Sequence, residues 1–294
     1  MQYRVDSLGI SGTMTTILRD LIHERLGLMY EPHQFDQVAD RLAPLVIARG
    51  LTSFLDYYYV LKYADGDGDW PAVMDALAVP ETYFWREIDQ IRAVVREVVP
   101  PLIDALRGRA LRIWSIPCAS GEEPLTLAML LEDAGWFHRA AIELVGSDAS
   151  PAAIDRARRG RYGERSFRNL PPAMREKYFT AQEGSFVVSP DLKRRVAYDV
   201  VNLMDAGQMA RHAAAPIVFC RNVFIYFSER SIQRALRVFE QSMPCPAYLC
   251  VAAAESLLRR TTTFELQDIG GAFIYVKGAA TRTSPALATV DTVS

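Results

Sequence analysis

Two adjacent carboxylates, Glu122 and Glu123, follow a turn of small residues in the run Ile113-Trp114-Ser115-Ile116-Pro117-Cys118-Ala119-Ser120-Gly121-Glu122-Glu123-Pro124. A small-residue turn after an apolar run lets a ligand approach the backbone closely, at the carboxyl edge where open α/β sheets bind ligands. The turn carries one glycine. It therefore lacks the spaced glycines of the G-x-G-x-x-G loop that seats a dinucleotide pyrophosphate, and two carboxylates there would repel phosphate. Carboxylates suit instead a ligand with hydroxyls or positive charge. Taken alone, the pair also reads as acidic residues complementing a helix dipole, with Pro124 starting the helix.

Asp148 ends a second apolar run, in Val145-Gly146-Ser147-Asp148-Ala149-Ser150-Pro151. An acidic residue at this place in a Rossmann-type sheet accepts hydrogen bonds from ribose hydroxyls. It equally suits the cap of the following helix, where Ser150 and Pro151 also fit. Together the two places point to an adenosine-bearing ligand without phosphates at the turn. S-adenosylmethionine, with its ribose, cationic sulfonium and zwitterionic amino-acid end, answers that description. His23, His33, His138 and His212 are scattered without ligand spacing, so a metal-free site is expected. Cys118, Cys220, Cys245 and Cys250 form no CxxC pair and no dense framework, and reduced thiols in the cytosol are the simpler reading.

The elements that must position these residues change character along the chain. Up to about residue 99 apolar residues recur every three or four positions: Ile17, Leu18, Leu21, Ile22, Leu26; then Phe35, Val38, Leu42, Leu45; then Phe54, Leu55, Tyr58, Tyr59, Leu61. This predicts an all-helical domain over 10–95, broken by the solvated Asp-Gly-Asp-Gly-Asp turn at 65–69, which lacks the spacing of a calcium loop. From residue 110 short β-rich runs alternate with helical segments, the pattern of a parallel sheet wrapped by helices. Strands are expected at 111–117, 142–147, 196–201, 216–221 and 247–253, and helices at 123–134, 151–159 and 229–242. Phe264 to Lys277 reads as a hairpin around Gly270-Gly271. The fold class is thus α/β, with a sheet domain over 96–277. Between Arg159 and Val196 lies a stretch with Tyr162, Phe167, Tyr178, Phe179 and Phe186, expected to be a small folded insertion over 160–195. The Ala/Thr/Ser-rich tail at 278–294 has little to bury and is expected to be disordered.

Charge narrows the partners. With 33 Lys+Arg against 35 Asp+Glu, the net of -2 provides no global field to drive attachment to nucleic acid or an anionic membrane. The N-terminus lacks a positive flank followed by an apolar core, so no secretory signal is expected, and the longest apolar runs, such as Tyr248 to Ala254, are too short to span a bilayer. A cytoplasmic protein is the resulting expectation. One stretch is locally basic: Arg156, Arg158, Arg159, Arg161, Arg165 and Arg168 face only Asp155 and Glu164. It reads either as a solvated cationic surface or as a dock for an acidic partner.

Three blocks occur in order: Glu-Thr-Tyr-Phe-Trp-Arg-Glu at 81–87, Ser-Gly-Glu-Glu-Pro at 120–124 and Cys-Arg-Asn-Val-Phe-Ile-Tyr-Phe at 220–227. From about residue 10 to 277 the chain resembles the CheR-type chemotaxis receptor glutamate O-methyltransferases. The resemblance implies a Rossmann-like S-adenosylmethionine-dependent methyltransferase sheet, an N-terminal all-helical domain and a small β insertion. It further implies that Thr82 and Arg86 reach the cofactor, Arg86 at its methionine carboxylate. Glu122 would contact the cofactor at the first turn and Asp148 its ribose. Asn202 and Leu203 would flank the adenine, Arg221 and Asn222 would belong to the block after the fourth strand, and Tyr226 would lie near the transferred methyl. Residue chemistry offers plainer readings beside these: a surface ion pair of Arg86 with Glu87 or Asp89, Asn202 as a turn former, and Tyr226 as core.

The chain departs from the resemblance where many members carry Asn at the place of Pro80, and where Ala252, Ala253 and Ala254 precede Glu255 in place of Gly-His-Ser. The insertion is also shorter than in members that dock on a receptor's C-terminal pentapeptide. The implied activity is methylation of glutamate carboxylates on cytoplasmic domains of chemoreceptors, independent of a pentapeptide tether, with S-adenosylhomocysteine as product. A module that binds S-adenosylmethionine or S-adenosylhomocysteine and signals without catalysis is the alternative. A nicotinamide-dependent redox function is poorly matched by the single-glycine turn.

Overall fold

The structure, a computed structural model, describes residue 8 and residues 12–63 and 68–278. The expectations for the acidic turn at 65–67 and for the tail beyond Gly278 lie outside the described residues.

The expected apolar stripes fold as helices: α1 (Gly12–Leu26), α2 (Phe35–Ala48), α3 (Phe54–Tyr63) and α4 (Trp70–Leu77). Leu18, Ile22 and Leu26 of α1, Val38 and Leu42 of α2, Phe54 and Tyr57 of α3, and Val73 and Leu77 of α4 meet in one buried cluster. Spacings of three and four residues put each set on one face of its helix, which is why the four pack about a common core.

The chain then passes through an irregular linker into α5 (Ile88–Ala93), which runs through a π-helical turn at Val94–Val98 into α6 (Val99–Leu106). Phe84, Ile91, Val94 and Val98 pack with Ile113, Leu144 and Phe219 of the sheet, in a cluster separate from that of the first four helices. The packing therefore divides the chain before Phe84, earlier than the expected boundary at 95. Helical periodicity continues across the division, so periodicity alone could not show it.

The sheet domain comprises β1 (Leu111–Ser115), α7 (Glu122–Asp133), α8 (Trp136–Arg139), β2 (Ile142–Asp148) and α9 (Pro151–Arg159). The insertion follows: β3 (Arg161–Tyr162), α10 (Pro172–Tyr178), β4 (Phe179–Gln182), β5 (Ser185–Val188) and α11 (Pro190–Lys193). The main sheet resumes with β6 (Val196–Val200), α12 (Ala206–Ala210), β7 (Ile217–Phe219), α13 (Glu229–Ser242), β8 (Ala247–Cys250), β9 (Phe264–Ile269) and β10 (Ala272–Lys277). Its order is β6-β2-β1-β7-β8-β10-β9, with the first five strands parallel and the final hairpin antiparallel. This is the Rossmann-like α/β sheet expected. All five parallel strands occur where sequence places them, four of them shorter at their carboxyl ends and β2 one residue longer. Ile113 packs on one face and Trp114 on the other, both buried, as strands covered by helices on both sides require. Positive φ at Gly270 and Gly271 closes the β9–β10 hairpin.

The insertion forms a separate antiparallel sheet, β3-β5-β4. Chain order reverses about β1, whose neighbours are β2 and β7, so a crevice opens at the carboxyl ends of these strands.

Gly121, at the entry to α7, has φ +94°, and a Cβ there would lie 2.7 Å from the Tyr198 hydroxyl and 3.0 Å from Cβ of Ala157. Gly135 also has positive φ, +73°, with nothing within 4 Å of its Cβ position. Gly121→Ala is expected to lower unfolding free energy by about 3 kcal/mol and Gly135→Ala by about 1 kcal/mol. Urea denaturation of both measures the difference, and equal losses would show that close approach at Gly121 carries no cost.

Candidate functional site

The loops at the carboxyl ends of β1, β2, β6 and β7 converge beneath the linker at 79–87 and the first helical domain. A cavity of about 240 Å³ lies between sheet and helical domain, walled by Leu28, Tyr30, Gln37, Arg41 and Leu77 on one side and Ile116, Asp148, Leu203, Val223 and Tyr226 on the other. A smaller polar cavity of about 70 Å³ adjoins it, lined by Thr82, Tyr83, Arg86, Glu123, Arg221 and Asn222. Asp148 and Asn222 line both, so they mark the junction.

Asp148 is held by the backbone around it. One carboxylate oxygen accepts from the Ala119 N–H and the other from the Ser150 N–H, each at 2.9 Å. The helix cap is made by others: the Ser150 hydroxyl accepts from Ala153 N–H at 3.0 Å and donates to Asp75 of α4 at 2.5 Å. Asp75 also accepts from Ala152 N–H at 3.1 Å. Of the two sequence readings for Asp148, capping is thus taken over by Ser150 and Asp75, and Asp148 keeps unshared acceptor capacity at the cavity junction.

The adjacent glutamates part company. Glu122 is buried facing the insertion, where it accepts from the hydroxyls of Ser120 at 2.8 Å and Ser166 at 3.0 Å. It lines neither cavity. Glu123 lines the small one, accepting from the Ser115 hydroxyl at 2.7 Å and lying 3.3 Å from Nε of Arg221. Of the pair, it is Glu123 and not Glu122 that lines the crevice. Consecutive helical residues point about 100° apart, so one alone of such a pair can face the crevice.

Arg86 lines the small cavity, donates to the Glu81 carbonyl at 2.6 Å and lies 5.7 Å from the Tyr83 ring centre. The surface pairings considered for it are occupied: Glu87 faces Arg221 at 3.8 Å and Asp89 pairs with Arg92 at 3.6 Å. Arg221 is buried, donating to the carbonyls of Arg86 at 2.8 Å and Glu87 at 3.4 Å. It fixes the linker to the end of β7.

Asn202 is both turn former and tether. Its side-chain oxygen accepts from Met204 N–H and its amide donates to the Arg25 carbonyl of α1, both at 2.9 Å, while the buried Leu203 side chain lines the larger cavity. Asn222 sits at φ 61°, its side chain donating to Glu87 at 3.3 Å. Tyr226 ends the short turn Phe224–Tyr226, lines the larger cavity, and its carbonyl accepts from Met29 N–H at 2.8 Å.

Sequence reasoning missed several members. Tyr30, Gln37 and Arg41 enter from the helical domain, and their only sequence signal is proximity to the apolar stripe of α2. Glu255 was noted only for the alanines before it. It is buried, and accepts from the backbone N–H groups of Asn222 at 2.7 Å, Ala252 at 3.0 Å and Ile225 at 3.3 Å, which shapes the loop carrying Asn222 and Tyr226.

The basic stretch is largely paired. Arg158 faces Asp155 at 3.7 Å and Arg161 faces Glu183 at 3.6 Å, while Arg165 and Arg168 both reach Glu81, at 3.6 and 2.7 Å. Counting carboxylates along the stretch omitted Glu81 and Glu183, which folding supplies. Among the described residues no group of three or more His, Cys, Asp and Glu is arranged to hold a metal, and no helix is long and apolar enough to cross a membrane.

A buried acceptor at the end of the second strand, a small-residue first turn and a polar recess beside an apolar cavity are the donor set that adenosine and a zwitterion require. Fold and site together define a Rossmann-like methyltransferase whose cofactor is S-adenosylmethionine. The family described as CheR methyltransferase, SAM binding domain, matches residues 80–271, and the chain belongs to it. The match begins in the linker, just before Phe84. The chain is 30% identical over 265 residues to "Chemotaxis protein methyltransferase 2" of Vibrio cholerae, covering 90% of this chain and 92% of that one. It is 29% identical over 268 residues to "Chemotaxis protein methyltransferase" of Escherichia coli, with 89% and 91% covered. It is 30% identical over 256 residues to "Probable biofilm formation methyltransferase WspC" of Pseudomonas putida, covering 87% of this chain and 60% of that longer protein.

Burial pushes the carboxyls of Glu122, Glu123, Asp148 and Glu255 above the ordinary range, against the opposing pull of their hydrogen bonds and, for Glu123, of Arg221. The folded state therefore binds these protons more tightly than the unfolded chain. Their contribution to stability is full below the ordinary carboxylate range and is lost as pH rises through the raised values. Without cofactor, the denaturation midpoint is expected to fall as pH rises above the ordinary carboxylate range, and Glu123→Gln to make that fall shallower. A midpoint that rises there would contradict the assigned direction.

Proposed function

We propose that the protein transfers the methyl group of S-adenosylmethionine to glutamate γ-carboxylates on cytoplasmic domains of chemoreceptors, giving methyl esters and S-adenosylhomocysteine. The observation that carries this reading is the pair of joined cavities, one polar and small, the other larger and walled by the helical domain, meeting at Asp148 and Asn222. The names of the V. cholerae and E. coli relatives support a methyltransferase of chemotaxis.

In this reading Arg86 and Thr82 hold the cofactor's carboxylate and Glu123 accepts from its ammonium. Asp148 accepts from ribose hydroxyls, Asn202 and Leu203 flank the adenine, and Asn222 borders the junction. Arg221 acts by holding Arg86, Glu87 and Glu123 in place. The cofactor supplies an electrophilic methyl on sulfonium. A carboxylate oxygen of the substrate forms the new bond to carbon as the carbon–sulfur bond breaks, and the electron pair stays on sulfur. A glutamate is already an anion at neutral pH, so no residue of the chain removes a proton. The chain's contribution is alignment and exclusion of water, with Tyr226 beside the reacting carbon and Arg41 drawing the anionic side chain inward. Docking on the receptor proceeds without a C-terminal pentapeptide.

Calorimetry is expected to show S-adenosylmethionine binding that Asp148→Ala and Arg86→Ala each weaken about tenfold or more, the scale of a charge-assisted hydrogen bond. With labelled donor, base-labile methyl groups are expected on chemoreceptor cytoplasmic fragments, equally with and without their last residues. Absence of binding, or label that survives base, would overturn the reading.

Tyr226→Phe is expected to lower kcat while leaving the KM for S-adenosylmethionine nearly unchanged. A selective rise in that KM would instead place the hydroxyl with cofactor binding.

A further inference from the structure

Between Thr82 and Arg86 the linker sends Phe84 into the insertion. Its fully buried ring lies 4.9 Å from those of Tyr162 and Phe179 and 5.1 Å from that of Phe167, and its N–H donates to the Ser166 carbonyl at 2.9 Å. One arginine of the insertion grips the linker at two further points. The Arg168 guanidinium lies 3.6 Å from the ring centre of Tyr83 and donates to the Glu81 carboxylate at 2.7 Å. Thr82, between those two residues, and Arg86 line the small polar cavity.

The linker needs such grips. Trp85 and Glu87 have φ 70° and 45°, left-handed values that non-glycine residues keep only when surroundings impose them. The inner grip is the buried Arg221 on the carbonyls of Arg86 and Glu87. The outer grip is Arg168, whose side chain keeps 35% of its surface exposed.

We propose that Arg168 is a positioning residue for S-adenosylmethionine: by holding Glu81 and Tyr83 it sets the segment that presents Thr82 and Arg86, and so couples the insertion to cofactor affinity. This rests on the reading that Arg86 takes the cofactor's carboxylate. By linkage, whatever steadies the insertion against the linker tightens cofactor binding by the same factor that cofactor steadies the insertion.

The test compares wild type, Arg168→Ala, Arg168→Lys, Arg86→Ala and the double variant. Calorimetry uses S-adenosylmethionine, S-adenosylhomocysteine and methylthioadenosine, which lacks the amino-acid end, with thermal unfolding alongside. Arg168→Ala is expected to weaken the first two ligands about tenfold, the scale of coupling between contacting groups, and to leave methylthioadenosine unchanged. The KM for S-adenosylmethionine rises more than kcat falls. Arg168→Lys, which keeps the charge toward Glu81 but not the planar stack on Tyr83, recovers part of the affinity. Added to Arg86→Ala, the Arg168→Ala change has little further effect.

Equal weakening of S-adenosylmethionine and methylthioadenosine, or full additivity with Arg86→Ala, would overturn the proposal, since either would mean that Arg168 supports the fold at large. Indifference of S-adenosylmethionine binding to Arg86→Ala would remove the underlying reading. Sensitivity to Arg86→Ala with none to Arg168→Ala would remove the coupling alone.

Discussion

The arrangement turns on one buried cation. Arg221 stands at the end of β7 with its side chain 1% exposed, between Glu123 at the start of α7 and Glu87 of the linker, and donates to the carbonyls of Arg86 and Glu87. A guanidinium taken out of water costs several kcal/mol unless anions and carbonyls replace its hydration, and leaving such a charge without its partners is strongly destabilising. Three chain segments distant in sequence are therefore held together within hydrogen-bonding tolerance. The small polar cavity is the space they leave: Arg86 is brought to its edge by the linker's own carbonyl, and Glu123 is turned inward by Arg221 and Ser115. Glu122 has no such partner on that side, and buries itself against Ser120 and Ser166.

The helical domain is seated on the loops that carry the site. Asp75 caps α9 beside Asp148, the Arg25 carbonyl takes the Asn202 amide, and Met29 N–H donates to the Tyr226 carbonyl. His23 of α1 lies 2.6 Å from the Ser228 hydroxyl that caps α13, just beyond Tyr226. The first two contacts fall within four residues of a strand's carboxyl end, and the last two on the segment between β7 and α13. A shift of this domain alters the larger cavity, to which it supplies a wall, whereas the small cavity takes its lining from linker and sheet. In the proposed reaction, cofactor anchoring and access to the reacting carbon would therefore rest on different interfaces.

This division of labour explains what could be read from sequence. Strands β1, β2, β6, β7 and β8, and helices α7, α9 and α13, were legible because each is a local pattern: an apolar run between turns, or a cap followed by a stripe. Arg86 and Asn222 were legible as candidates because they stand in short blocks whose order a family shares, and Asp148 because it ends an apolar run just before a helix. Glu123 against Glu122 was not, since adjacent identical residues differ only in the direction that α7 gives them. Glu255 was hidden because a carboxylate accepting backbone N–H groups leaves no periodic trace. The domain boundary was displaced because α5 and α6 continue the helical pattern of the first domain while packing on the sheet. The excess of arginine in the insertion misled for a related reason: its carboxylate partners, Glu81 and Glu183, come from beyond the stretch that was counted.

The charges of the larger cavity bear on how a carboxylate can serve as nucleophile there. Asp148 is the one carboxylate among its described lining residues and Arg41 the one cation. Asp148 lies at the junction with the smaller cavity, both its oxygens engaged by backbone N–H groups, while Arg41 comes from the opposite wall on α2. In the proposed reaction no basic group is needed to ready the substrate glutamate, because it is deprotonated at neutral pH. Dehydration is the remaining requirement, since water bound to the carboxylate must leave before carbon can be approached. Met29 and Val79, both half exposed yet lining the cavity, give it an apolar edge. The carboxyls whose proton affinity burial has raised are Glu122 and Glu123 at the start of α7, Asp148 at the end of β2 and Glu255 beyond β8, all of them groups of the chain itself. The nucleophile's own titration is that of the substrate.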